Sequence, residues 1–335
     1  MNPITHLPVN CWYAVAPVVT LTEEPVLVPF AGQDYVLFRN RDGKPVCFSD
    51  RCPHRGASLS LGTREDGCIR CPFHGWLFDD GGHCIAVPAD GDGATLPARS
   101  NLKDEQAVCE HAGFIWLWLG EQPADHSTLP NLPEFSPQQW QHVSNSFTWD
   151  AHFSRVIESN LDNSHAYWVH KGTFASQDSP LSIPYDLNKG DDWVSAKVKF
   201  DLPLPSALKL MQRLQGKGPG LSAETTFSFY HPNLNIVDTR VGDFLHVIFV
   251  NASLPQSENQ TISRWIKYSP KKAFNMPGRE EKSTEISRTI FNEDHGVVQS
   301  QRPYAVPLDF SQESHVNSDV LSIEYRKILK RKQKS

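Results

Sequence analysis

Between residues 11 and 119 the chain reads as short apolar–polar alternations broken by turns. Tyr35-Val-Leu-Phe-Arg39 and Val46-Cys-Phe48 flank Asn40-Arg-Asp-Gly-Lys44, whose Asp-Gly pair predicts a hairpin. Phe114 to Leu119 is apolar at both alternating positions and stops at Gly120, the pattern of a strand buried on both faces. This half is predicted to be all-β. Four prolines among polar residues between Glu121 and Gln139 suit a linker laid over a surface. The predicted division is therefore 1–120, a linker over 121–140, and a second domain over 141–335.

The second domain opens with a helical pattern around Phe153 to Val169 and then turns to strands. Val194, Ala196, Val198 and Phe200 alternate with Ser195, Lys197 and Lys199, giving one buried and one wet face. Glu224 to Tyr230, Asn233 to Thr239, Phe244 to Asn251 and Thr261 to Tyr268 continue the series, and a second helix is predicted around Thr284 to Val298. Strands in series with helices at either end predict an α+β fold, an antiparallel sheet covered on one face by helices. Ser206 to Ser222, with its Gly-Lys-Gly-Pro-Gly run, reads as an excursion able to cover a site.

Composition narrows the function classes. A chain of 335 residues that is 39% hydrophobic and 21% charged is ordinary globular protein, and its net charge of −6 disfavours a nucleic-acid binder. The basic run from Arg326 to Lys334 reads as the solvated face of a terminal helix, with an acidic partner as the alternative. The start of the chain has no cationic-then-apolar signal and no run reaches the roughly 20 apolar residues of a membrane span, so a cytoplasmic location is expected. All seven cysteines lie in the first third, and their odd number points to thiols or metal ligands instead of a disulfide framework.

Two constellations carry chemistry. Cys52-Pro-His54 and Cys71-Pro-Phe-His74, sixteen residues apart, each offer one thiolate and one imidazole. In an extended loop, ligands two or three positions apart diverge, so each loop can give its Cys to one iron and its His to the other. Two Cys and two His suit a [2Fe–2S] cluster of the Rieske type. A structural zinc takes the same donors, although a Cys-x-His first pair is unusual there. Cys68, the remaining cysteines and His83 read as bystanders or packing residues.

The second constellation is Glu158-Ser-Asn-Leu-Asp162-Asn-Ser-His165-Ala-Tyr-Trp-Val-His170. On a continuous helix Glu158 and Asp162 would share a face with His165, at about 20° and 60°, whereas His170 would fall about 140° away. Joint ligation by His165 and His170 therefore requires the helix to end or distort between them. Two imidazoles and one carboxylate would leave positions open on Fe(II), and the carboxylate candidates are Asp238, Asp243, Glu293 and Asp294.

Cys52-Pro-His54-Arg55-Gly56-Ala57 with Cys71-Pro-Phe-His74-Gly75-Trp76 closely resembles the signature of Rieske proteins, and Asp162-x₂-His165-x₄-His170 resembles that of the mononuclear Rieske oxygenases. The resemblance runs from Trp12-Tyr13 to Pro303 and fits best the short oxygenases similar to vanillate O-demethylase. It implies a [2Fe–2S] cluster on Cys52, His54, Cys71 and His74, and Fe(II) on His165, His170 and Asp294 in a helix-grip, START-like catalytic domain. Glu293 is the fallback for Asp294, and His295 is expected to be solvent-facing or capping. Asp162 matches an aspartate that sits between a cluster His and an iron His across a subunit boundary, which implies a head-to-tail homotrimer. Ser159 stands where Asn is frequent in the family, a departure touching only local hydrogen bonds.

The implied activity is that of a terminal oxygenase. With O2 and electrons from a separate reductase or ferredoxin, it would hydroxylate or oxidatively demethylate a small, aromatic organic substrate. Ring cis-dihydroxylation is the main alternative, and a Rieske electron-transfer protein with a non-catalytic ligand-binding domain is another. No Gly-x-Gly-x-x-Gly or plant-ferredoxin cysteine run is present, so the electrons must come from outside. Phe227, Phe229, Val247 and Phe249 are weak candidates to line the substrate pocket.

Overall fold

The computed structural model describes residues 4–333 except 92, 94, 97, 171, 172, 174–185, 204–219, 243, 244 and 272–278. The expected cover over Ser206 to Ser222 lies mostly outside the described residues, as does Asp243. The chain forms two compact units, one from Val9 to Glu134 and one from Phe135 onward that also includes the N-terminal segment ending at Pro8. The proline-rich stretch up to Glu134 belongs to the first unit.

Among the described residues the first unit is built from ten strands and short 3₁₀ turns. They are β1 (Cys11–Pro17), β2 (Val26–Phe30), β3 (Gln33–Arg39), β4 (Pro45–Ser49), β5 (Thr63–Glu65), β6 (Cys68–Arg70), β7 (Leu77–Phe78), β8 (Cys84–Ala86), β9 (Val108–His111) and β10 (Phe114–Leu119). Strand β10 lies between β1 and β9, which is why it is apolar on both faces: Phe114, Ile115, Trp116 and Leu117 are fully buried. The Asp-Gly hairpin joins β3 to β4, with Arg39 opposite Pro45. The four-stranded sheet β5-β6-β7-β8 presents two loops, one entering β5 and one between β6 and β7.

The second unit is one seven-stranded antiparallel sheet in the order β11-β17-β16-β15-β14-β13-β12. Its elements are β11 (Trp140–Trp149), helices α1 (Phe153–Ser159) and α2 (Ala166–Val169), β12 (Asp186–Lys189), β13 (Trp193–Pro203), β14 (Gly220–Tyr230), β15 (Leu234–Val241), β16 (Leu245–Ser257), β17 (Gln260–Pro270), α3 (Arg279–Val298) and α4 (Val320–Lys332). One sheet face takes the helices. Phe153, Ile157 and Leu161 pack with Val194, Ala196 and Phe229 and with Leu321, Tyr325, Ile328 and Leu329 of α4. Phe291 of α3 packs with Trp149, Trp265 and Phe249. Among the described residues no helix is long and apolar enough to cross a membrane.

The basic tail is a solvated face apart from Arg326: Lys327, Lys330 and Arg331 are exposed. Arg326 is buried between Glu158 and Glu313, Lys327 pairs with Glu324, Lys332 pairs with Asp192, and Arg331 donates to Asp191 O. Residues 320–332 read as charged because the helix docks by ion pairs at its edges and by Leu321, Tyr325, Ile328 and Leu329 at its centre.

Helix α1 is capped by a histidine. His152 Nδ1 accepts from Ser154 N and lies 2.8 Å from Ser154 Oγ, while Nε2 lies 3.0 Å from Thr5 O. Nε2–H therefore donates and Nδ1 must stay unprotonated to act as the cap. Burial lowers the pKa to about 4, against the favourable charge of Glu258. An unfolded histidine takes a proton near pH 6.5. The folded one resists until about pH 4, so this stability is fully present above pH 6.5 and is lost as the pH falls through that window. The expected loss is about 1.4 kcal/mol per pH unit inside the window. His152→Asn keeps a cap without the titration. Urea unfolding at pH 7.5 and 5.0 should give it a shallower pH dependence than the wild type, and equal dependences would acquit the histidine.

Candidate metal centres

The two Cys/His loops are copies of one backbone design. Cys52 N–H donates to Ala57 O and Gly56 N–H to Cys52 O, both at 2.9 Å; in the second loop Cys71 N–H donates to Trp76 O at 2.9 Å and Gly75 N–H to Cys71 O at 3.1 Å. Gly56 and Gly75 close these turns at φ +72° and +73°, where a side chain would be strained. The loops bring the four residues together. The His54 and His74 rings are 4.5 Å apart, His54 stacks on Trp76 at 4.6 Å, and the Cys52 and Cys71 thiols interact.

The donor set fits a Rieske cluster on observations independent of the motif. His54 Nδ1 is buried without a hydrogen-bond partner, as a ring nitrogen reserved for a metal would be. Burial pushes the Cys52 thiol up to about 11 and Cys71 adds to this, against hydrogen bonds from the His54 and Arg55 backbone. A thiolate here needs a cation beside it, and backbone N–H groups already point at the sulfur. Cys47 and Cys84 are buried packing residues of the same core. His83 is not: it is exposed and lies 3.2 Å from Asp79.

In the second unit the helix breaks before His165 and not between the two candidate ligands, which instead bracket a separate turn. After α1 stops at Ser159, residues 160–165 leave the helix, and α2 is a single turn with His165 at its N-cap and His170 at its C-cap, φ −100° and ψ 28°. The break is held by Asp162, whose Oδ1 accepts from Ser164 N and Oγ, each at 2.7 Å. Standing at the two ends of this turn, the two imidazoles converge despite the 140° expected of a continuous helix. His165 Nε2 and His170 Nε2 come to 3.2 Å, and Asp294 Oδ1, from α3, lies 3.4 and 3.3 Å from them. Three donors bound at about 2.1 Å to one first-row ion would stand about 3.0–3.4 Å apart, so the triangle has the right size.

Each imidazole has a further carboxylate. Glu293 Oε2 lies 2.8 Å from His170 Nδ1, and Asp162 Oδ2 lies 3.6 Å from His165 Nδ1. Against burial, which lowers it, Asp162 and then Asp294 raise the His165 imidazole to about 9, so the cavity draws positive charge.

The other candidates are elsewhere. Asp238 pairs with His246 at 2.9 Å and with Arg240 at 3.6 Å on the sheet. Glu158 does not share a face with His165, because the helix has ended. It is buried and accepts from Arg155 and Arg326, which also hold Glu313. His295 Nε2 accepts from Asp150 N, which lies ahead of α1's N-cap His152, so it holds a loop and does not cap a helix. Asp162 also lines a polar cavity of about 480 Å³ with Arg302, Glu313 and His315.

Phe229 is core, whereas Phe249 is only partly buried against its cluster. Phe229 packs on Tyr325 at 4.7 Å, and Phe249 on Phe291 at 5.7 Å. Sequence reasoning passed over Asn235, Asn251 and Trp265, cross-strand partners on β15, β16 and β17 on the face that Phe291 covers. Each is at most 2% exposed, yet the Asn235 amide, Asn251 Oδ1 and Trp265 Nε1 lack hydrogen-bond partners. The available signal was polar residues at inward positions of alternating strands. They are candidate polar contacts for a substrate.

Two donor sets of these kinds in one chain define a class, the Rieske-type non-haem iron proteins. Comparison makes the assignment specific: residues 11–98 match the Rieske [2Fe-2S] domain and residues 149–335 the vanillate O-demethylase oxygenase C-terminal domain. The chain belongs to the Rieske oxygenases of the vanillate O-demethylase type, a family carrying a [2Fe–2S] cluster and mononuclear iron. Methylxanthine N1-demethylase NdmA of Pseudomonas putida is 29% identical over 93% of this chain and 81% of its own length. A putative toluene-4-sulfonate monooxygenase system iron-sulfur subunit, TsaM2 of Comamonas testosteroni, is 32% identical over 52% of this chain, which spans about half (49%) of that relative. The structure of apo dicamba monooxygenase, 20% identical, matches with a TM-score of 0.73 over 98% of each chain, which shows the fold.

The unpaired Oδ1 of Asn251, whose Nδ2 donates only a long bond of 3.3 Å to Ser253 Oγ, generates a prediction. An unsatisfied buried polar group costs about 1–3 kcal/mol, so Asn251→Leu, of nearly equal volume, is expected to raise the melting temperature by a few degrees. A lower melting temperature would mark Asn251 as a structural residue.

Proposed function

We propose that the protein is the terminal oxygenase of a multicomponent system, using O2 and electrons from a separate reductase or ferredoxin to monooxygenate a small, aromatic organic substrate by hydroxylation or oxidative demethylation. In this reading Cys52, His54, Cys71 and His74 hold the [2Fe–2S] cluster, and His165, His170 and Asp294 hold the mononuclear Fe(II). The observation that carries it is the convergence of those last three side chains, all donor atoms within 4.8 Å, in a chain of this family. Bound there, the two groups would supply electron relay and dioxygen activation.

The protein's own residues do the positioning. Asp162 orients His165 and, from the polar cavity it lines, can reach a group presented by a neighbouring subunit; this supports the head-to-tail homotrimer that the family resemblance implies. The aromatic wall of Phe147, Phe249 and Phe291 suits a flat ring, and Asn235 and Asn251 suit a polar substituent on it. NdmA and dicamba monooxygenase, by their names, act on such molecules. Phe73, 63% exposed beside His74, together with exposed Arg55, supports docking of the electron donor at the cluster edge. Seven free cysteines fit a reducing cytoplasm.

The test is metal and sulfide content with an electron paramagnetic resonance spectrum after reduction. About three irons and two acid-labile sulfides per chain are expected, with a Rieske-type signal. His170→Ala should lose about one iron and keep the sulfide, whereas Cys71→Ser should lose the sulfide. Zinc without sulfide would sink the reading. Two irons and two sulfides, unchanged by added Fe(II), would leave an electron-transfer protein.

A further inference from the structure

His170 is engaged at both ring nitrogens. Its Nε2 faces His165 Nε2 and Asp294 Oδ1, while its Nδ1 lies 2.8 Å from Glu293 Oε2. The second oxygen of Glu293 is occupied too: it accepts from Thr173 Oγ1, and Thr173 N–H in turn donates to His170 O at 3.1 Å. Ring, carboxylate and turn thus form a closed circuit around a side chain that is 2% exposed. His165 has a looser arrangement, its Nδ1 standing 3.6 Å from Asp162, whose nearer engagement is with Ser164.

On the reading that His165, His170 and Asp294 hold the mononuclear ion, we infer that Glu293 is a positioning residue, which fixes the tautomer and orientation of His170 and is not a spare ligand. A neutral imidazole has one donor nitrogen and one acceptor, and a carboxylate can only accept. Glu293 at Nδ1 therefore places the proton there and leaves the Nε2 lone pair turned toward Asp294. A carboxylate on the far nitrogen also makes the imidazole a stronger donor to a metal. Adjacent residues of α3 divide the work: the shorter Asp294 stops at the Nε2 side, and the longer Glu293 reaches around to Nδ1. With Thr173 on its other oxygen, Glu293 has no oxygen aimed at the Nε2 pair. His170 is then the rigid imidazole of the site, and His165, through Asp162, the adjustable one.

The experiment uses cluster-loaded protein stripped of its mononuclear ion with a mild chelator and titrated calorimetrically with Co(II). Sulfide content serves as the check that each variant is folded. Glu293→Ala is expected to bind about one Co(II) with roughly 10- to 100-fold lower affinity. Glu293→Gln, whose carbonyl can still accept from Nδ1–H, should recover most of that loss, and Asp294→Ala should bind none. Glu293→Ala within about twofold of the wild type, with Asp294→Ala inactive in binding, overturns the inference and leaves the metal site standing. Loss of binding in both Glu293 variants with retention in Asp294→Ala makes Glu293 the ligand and also overturns it. Unchanged binding in both Asp294→Ala and His170→Ala brings down the metal-site reading itself.

Discussion

Two imidazoles five residues apart meet here as the two ends of a single helical turn, and the second unit is arranged around the break that frees this turn from α1. In a continuous helix each residue turns the next by about 100°, so His165 and His170 would diverge. Here α1 ends, Asp162 folds back onto Ser164, and a single helical turn places one imidazole at each of its ends. The aspartate that stabilises the break also faces His165 Nδ1. A substitution there therefore acts on backbone and ligand together, which couples local folding to the metal site more tightly than a side chain on a regular helix could.

What holds α1 in place is charge kept out of the site. Arg155 and Arg326 line the same cavity as Asp162, and both are committed to Glu158 and Glu313 with little exposure. A buried ion pair adds little net stability over an apolar pair of equal volume, but it is demanding about geometry. The arginines depress Glu313 below the usual carboxylate range, against its burial, so the network stays ionised at neutral pH. It joins α1 to α4 and to the segment carrying Glu313, and this fixes the start of the ligand-bearing run.

The cluster loops were legible in the sequence because they are local: a Cys, a His and a Gly within a few residues define both the donors and the turn that presents them. The sheet was legible because its strands alternate and its face toward the helices is apolar. The second centre was legible only in part. His165 and His170 stand close in sequence, but their convergence depends on where a helix ends, which propensity places poorly. Glu158 was misplaced for that reason. The identity of the third donor depended on α3 returning across the sheet, and the burial of Arg326 within a largely exposed basic run was hidden because its partner Glu158 lies far off in sequence. Asn235 and Asn251 were invisible to a reading that takes alternating strand residues as apolar core.

Three carboxylates, Asp162, Glu293 and Asp294, surround two imidazoles, and among the described residues no arginine or lysine pairs with any of them. Had Arg155 been free, it could have neutralised Asp162 and lowered the attraction for a metal cation. Its capture by Glu158 and Glu313 leaves the negative charge of the site unspent. The raised His165 shows that the field acts on whatever positive charge is available. A divalent ion meets the same field with twice the charge and with bonds to all three donors, so it should displace the proton. The buried ion-pair network and the candidate metal centre are thus linked: the first commits Arg155 and Arg326, which line the cavity beside Asp162, to Glu158 and Glu313, so that the second keeps its negative charge for a cation from outside.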